Sequence, residues 1–180
     1  MRALTATAAV VFLATITACA TVKVYAPTRT PTASTGWPRG LVRVVVQDAR
    51  PDRVDSEKLR TAVQDVLAAA TNSDSTATRY TLTVAVLEHR AYFSFGTWNA
   101  RTRLRATLTD GNGREIGSWA AQGEASRMNT WGYSTAARVS EEAFELAVAD
   151  LTVQLAAVKL TRGPPRREEA CPSPELASTA

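Results

Sequence analysis

Residues 80–126 read YTLTVAVLEHRAYFSFGTWNARTRLRATLTDGNGREIGSWAAQGEAS. Leu82, Val84 and Val86 alternate with Thr81, Thr83 and Ala85, the period of a strand with one wet face. The apolar pattern shifts at Leu87, and Ala91-Tyr92-Phe93-Ser94-Phe95-Gly96 follows, so a bulge or a turn is expected there. Residues 98–109 alternate again. Trp98, Ala100, Leu104, Ala106 and Leu108 share one side, and Arg101, Arg103, Arg105 and Thr107 the other. Asp110-Gly111-Asn112-Gly113 predicts a hairpin turn, since Asn and Gly accept positive φ. A further strand runs from Glu115 to about Ser126. Its register is open, because Ile116 and Trp119 have opposite parity and only a bulge turns both inward.

Working outward, Leu41 to Val46 is short and β-branched and predicts a first strand. A loop with Pro51 follows, and Asp55 or Ser56 caps a helix whose Leu59, Val63, Val66, Leu67 and Ala70 share one face. After the meander, residues 129–134 form a loop. Ser134 or Thr135 then caps a last helix over 138–160, with Phe144, Ala147, Val148, Leu151, Leu155 and Val158 as its apolar stripe. Glu141, Glu142 and Glu145 in its first half and Lys159 at its end suit the helix dipole. The order is β-α-β-β-β-α, with no internal repeat. A sheet with one wet face needs its other face covered. The expected fold is therefore α+β: a two-layer sandwich, with a mainly antiparallel four-stranded sheet covered on one face by two helices.

The ends differ in kind. Met1-Arg2 precedes an uncharged run from Ala3 to Ala18, the shape of a signal peptide and too short for a stable span. Ile16-Thr17-Ala18-Cys19 resembles the lipobox of bacterial lipoproteins. That resemblance implies removal of residues 1–18 and acyl chains on Cys19. Two or more chains hold a protein firmly where one holds it marginally. Lipoproteins of this kind are retained at the inner membrane by Asp after the cysteine. Ala20 stands there instead, which favours the outer membrane, facing the periplasm. Residues 19–38, with three prolines and many threonines, read as the lipidated cysteine and a flexible tether. The domain covers 39–160, and the Pro- and charge-rich residues 161–180 read as a disordered tail. With Cys19 acylated, Cys171 is left as a free thiol or pairs with another chain.

The sequence pI is about 9.4, yet residues 37–159 hold 15 Lys or Arg against 14 Asp or Glu. The basic excess lies outside the fold, which argues against nucleic acid as a partner. No catalytic, metal-binding or cofactor-binding set is expected. His89 stands beside Glu88 and Arg90, but adjacent strand residues point to opposite faces. The cysteines lack zinc spacing, and no nucleophile elbow, phosphate loop or dinucleotide fingerprint occurs. Asp48, Asp52 and Asp55 are interleaved with Arg50 and Arg53 and lack the glycine and glutamate of a calcium loop. Two surface features remain. Arg101, Arg103 and Arg105 form a ladder that either meets cross-strand partners or docks on acidic groups. Tyr92, Phe93, Phe95, Trp98, Trp131 and Tyr133 are expected mostly at the core or the sheet end.

The lipobox, the Pro/Thr tether and the element order resemble small outer-membrane lipoproteins of the YajG and LptE type. The local match runs from Gly96-Thr97-Trp98-Asn99-Ala100 through the turn at Asp110-Gly111-Asn112-Gly113 to the Ala-rich helix around Ala143 to Leu155. The resemblance implies the fold and an envelope location. The expected role is that of a non-enzymatic accessory lipoprotein of an envelope assembly or transport complex, held to the membrane through Cys19 and docked on an envelope protein. The alternative is a periplasmic lipoprotein that binds a small ligand or lipid. Cys19→Ala should release the protein from the membrane. Persistence of that variant in the membrane pellet after an alkaline wash would sink the lipoprotein reading.

Overall fold

In a computed structural model the described residues are Pro27, 33–52, 55–73, 79–129 and 135–160. The leader, Cys19, Ala20, Trp131, Tyr133 and the tail with Cys171 lie outside them. The elements are β1 (Val42–Asp48), α1 (Ser56–Ala70), β2 (Tyr80–Ser94), β3 (Thr97–Asp110), β4 (Glu115–Met128) and α2 (Ala136–Ala156). The strands form one mixed sheet in sequence order. β1 runs parallel to β2, and the other two pairs are antiparallel. Adjacent parallel strands need a crossover, which α1 supplies. Both helices pack on the same face, as expected from the sequence. Leu59, Val63 and Leu67 of α1 join Phe144, Val148 and Leu151 of α2 in one core with Val44, Leu82, Val84, Leu104 and Leu108.

The pattern shift in β2 is a bulge. Val86 pairs with Leu104, but Glu88 pairs with Arg103, so Leu87 is the extra residue. Parity resets across it: Val86 and then His89 and Ala91 face the helices, while Glu88 and Arg90 face away. A second irregularity resolves the open register of β4. Leu108 pairs with Gly117 and Thr109 with Glu115, which leaves Ile116 out of the ladder. Ile116 is exposed, and Trp119 packs against the core. The turn differs in detail from expectation. Gly113 alone of its residues takes positive φ. Asp110 closes the turn, its Oδ1 accepting from the Asn112 and Arg114 N–H groups at 2.9 Å each.

Three further expectations are corrected. Residues 33–38 belong to the domain and not to the tether. Thr35 donates its N–H to the Ala70 carbonyl. Trp37 is buried, and its indole N–H donates to the Val158 carbonyl at 3.0 Å. An apolar ring of this size finds core at the end of both helices, which a proline count does not reveal. Asp55 does not cap α1 with its side chain; it takes a left-handed backbone, φ 50°, and its carbonyl accepts from Leu59. The last helix starts at Ala136 and ends at Ala156, short of the expected Leu160; Thr135 is its cap, its hydroxyl accepting from the Arg138 N–H.

Helix α2 lies closest to the sheet at Gly123. A Cβ built there would overlap the Ala143 carbonyl oxygen and stand 2.6 Å from the Ala147 nitrogen. Backbone meets backbone, and no side chain can yield. Gly123→Ala should therefore lift α2 and cost about 3 kcal/mol, roughly 10 °C in melting temperature. Glu145→Ala, on the polar side of the same helix, should do little. Thermal unfolding of the two variants measures both, and a wild-type melt for Gly123→Ala would refute the close approach.

Candidate functional site

No described element covers the sheet face away from the helices, and its middle is the arginine ladder. Arg101 stands opposite Arg90 on β2 and Glu124 on β4, Arg103 opposite Glu88 and Gln122, and Arg105 opposite Ala85 and Ala120. The contacts follow this register. Arg101 pairs with Glu124 at 2.7 Å. Glu88 takes Arg90 at 2.6 Å and Arg103 at 3.9 Å. Arg105 makes no ion pair among the described residues and is flanked by the two alanines. All three ladder arginines thus lie on the open face, but unequally engaged. The Leu87 bulge is the cause: without it Glu88 would turn to the core side, and Arg103 would lose its carboxylate.

Toward the sheet's end, beside the bulge, a cleft of about 370 Å³ is lined by Arg50, Pro51, Leu87, Glu88, Arg90 and Arg103 among others. Arg50 binds Asp48 in a fork, Nε to Oδ1 at 2.8 Å and Nη2 to Oδ2 at 2.7 Å. Both side chains are buried. The Arg50 guanidinium holds the Asp48 carboxyl down at about 2 against an ordinary 3.8; burial opposes this and the Ser56 hydroxyl adds to it. Asp48 thereby ties the end of β1 to the first residue of α1. Asp52 and Asp55 are exposed and add their negative charge to the field on Arg50. No group of His, Cys, Asp or Glu among the described residues is arranged to hold a metal ion.

On the core side of the same bulge lies a polar network. His89 Nδ1 meets the Thr102 hydroxyl at 3.0 Å, and Nε2 meets the Ser140 hydroxyl at 3.2 Å. All three are at most 2% exposed. The Phe144 ring stands edge-on to the imidazole at 6.0 Å. A serine at hydrogen-bond distance from histidine is the geometry of an activated nucleophile. Here the group beyond the histidine is a hydroxyl and not a carboxylate, and the serine is shut away from solvent. The network instead pins α2 to β2 and β3, giving buried polar atoms the partners they require. Strand parity marks this site in part. Thr102 falls between Ala100 and Leu104 on the core side, and a polar residue there calls for a partner.

The sequence matches no family model and no curated protein. Among solved structures, protein XCC0632 of Xanthomonas campestris, of family DUF330, superposes with a TM-score of 0.51 at 17% identity, over 74% of this chain and 92% of that one. Lipoprotein GNA1162 of Neisseria meningitidis gives 0.38 at 14% identity, over 67% and 100%. A dodecamer of PelC from Paraburkholderia phytofirmans gives 0.39 at 19%, over 73% and 96%. What the chain shares with the Xanthomonas protein, at this identity, is its fold.

The Asp48 fork sets an acid limit. A carboxyl depressed in the folded state stabilises fully above its unfolded value and loses that contribution as pH falls through its folded one. The stabilisation is about 2 kcal/mol, whole above pH 3.8 and lost as pH falls through about 2. Asp48→Asn should lower the melting temperature at pH 7 and flatten its dependence over that acid range. Equal acid profiles for variant and wild type would contradict the assignment.

Proposed function

We propose that this is a lipid-anchored, non-enzymatic accessory lipoprotein of a bacterial cell-envelope assembly or transport complex, of the YajG and LptE type, docking by its open sheet face on an acidic partner. The anchor rests on the Ile16-Thr17-Ala18-Cys19 junction, and Ala20 supports the outer membrane. The docking reading rests on one observation above the others: among the described residues Arg105 stands without an ion pair between small side chains, in line with Arg101 and Arg103 on a sheet face that no described element covers. A guanidinium among alanines adds little to the fold and leaves its fork open to a carboxylate or phosphate. Its two ladder neighbours carry their own carboxylates, so Arg105 is the available end of the ladder. Against catalysis stands the burial of Ser140 and His89.

The cleft beside the bulge supports a second reading, a lipoprotein that binds a small anionic ligand against Arg90 and Arg103. The two readings part on one comparison. Changing Arg101, Arg103 and Arg105 together to Gln should barely move the melting temperature, because exposed pairs contribute about 0–1 kcal/mol each. Capture of the partner from detergent-solubilised envelopes should fall, and the wild-type interaction should weaken as salt rises. A triple variant that retains its partner at wild-type level refutes the docking face. A small anion held by the wild type in native mass spectrometry, with no protein partner, favours the second reading.

A further inference from the structure

The β2–β3 hairpin turns on two residues, Phe95 and Gly96, both at positive φ, 48° and 74°. Turns of this shape favour Asn, Asp or Gly. Phenylalanine is disfavoured there twice over. The left-handed backbone crowds its Cβ, and its ring is fully exposed, at 104%. A side chain at that exposure packs on none of the described residues, so the described fold gains nothing from it.

Its surroundings continue the pattern. Tyr92, Phe93 and Met128 are exposed nearby, and Phe93 leans on Trp98 with ring centroids 5.1 Å apart. Behind this tip lies a collar of matched charges: Arg90 with Glu88, Arg101 with Glu124, Arg127 with Glu142. The Asn129 N–H donates to the Gly96 carbonyl, so the turn brings a satisfied acceptor to its apex. The described surface at the tip is aromatic, and the ion pairs behind it are matched.

We propose that the Phe95 tip inserts into the interfacial layer of a phospholipid bilayer, a second membrane contact besides the anchor. Tyrosine and tryptophan, apolar at one side and polar at the other, settle at that layer, with phenylalanine reaching deeper. An exposed aromatic turn needs no preformed hole in a bilayer, whereas a protein partner would have to supply a pocket. The matched collar makes the contact apolar in origin and indifferent to lipid charge.

The test uses the chain from residue 19 on with Cys19→Ala, so that neither leader nor acyl chain contributes, and vesicles of phosphatidylcholine with or without phosphatidylglycerol. In the Phe95→Trp variant, added emission should shift to the blue and be quenched by phosphatidylcholine with brominated acyl chains. Asn112→Trp, at the other end of the sheet, should show neither effect. Phe93→Ser with Phe95→Ser should weaken vesicle partition about tenfold or more, with an unchanged melting temperature. Added salt or omission of phosphatidylglycerol should change little, unlike the arginine-dependent interaction. Unquenched Phe95→Trp emission on vesicle-bound protein overturns the proposal, as does undiminished partition of the double-serine variant. A Phe95→Trp response to envelope protein alone, absent with vesicles, overturns it in favour of a protein pocket.

Discussion

The contact between α2 and β4 at Gly123 governs the rest of the domain. Because the helix backbone rests on the strand without an intervening side chain, α2 lies low enough to cover three strands at once. Small residues line the approach on both sides: Ala91, Ala100 and Ala125 from the sheet, Ala136 and Ala143 from the helix. At that distance Ser140 reaches His89. The helix also seals the outer edge of the sheet. Asp150 accepts from the Gln122 N–H, Gln154 donates to the Ala120 carbonyl, and Glu142 holds Arg127. An unpaired edge strand is a template for unwanted pairing, and polar helix side chains occupy it here. With one face and one edge consumed, the other face stays open among the described residues.

Much of this architecture is legible in the sequence, since alternation in β2 and β3 and the stripe of α2 are direct consequences of burial on one side. The bulge at Leu87 announces itself as a break in parity. Ile116 and Trp119 cannot be decided from parity alone, because the bulge that separates them arises from how Asp110 and Gly113 close the turn. Gly123 gives no signal either. A glycine in a small-residue strand reads as weakness until the helix that needs the space is known. Trp37 is hidden by its company of prolines and threonines, although a lone tryptophan in a tether is itself a reason to look for core.

The candidate site is legible in direction and opaque in pairing. That Arg101, Arg103 and Arg105 share a face follows from a period of two. Which of them meets a carboxylate depends on two bulges, each shifting a partner strand by one residue. The result is a gradient along the ladder, from the matched Arg101 to the bare Arg105, that composition does not reveal. The Asp48–Arg50 fork escapes sequence reading for a different reason: β1 ends at Asp48, and nothing in the pattern says that the next residues turn an N–H and a guanidinium back onto its carboxylate.

The two ends of the domain meet at one pole, where Trp37 touches Val158, while the β2–β3 turn occupies the other. A pull between a fixed N-terminal segment and a held hairpin would run along the strands. The β1–β2 ladder, from Val42 with Tyr80 to Asp48 with Val86, then bears the load in shear. Its hydrogen bonds lie across the direction of force and must give way together, not one after another as in a zipper. The parallel strand that completes the sheet thus also makes the domain a stiff mechanical link between its two poles.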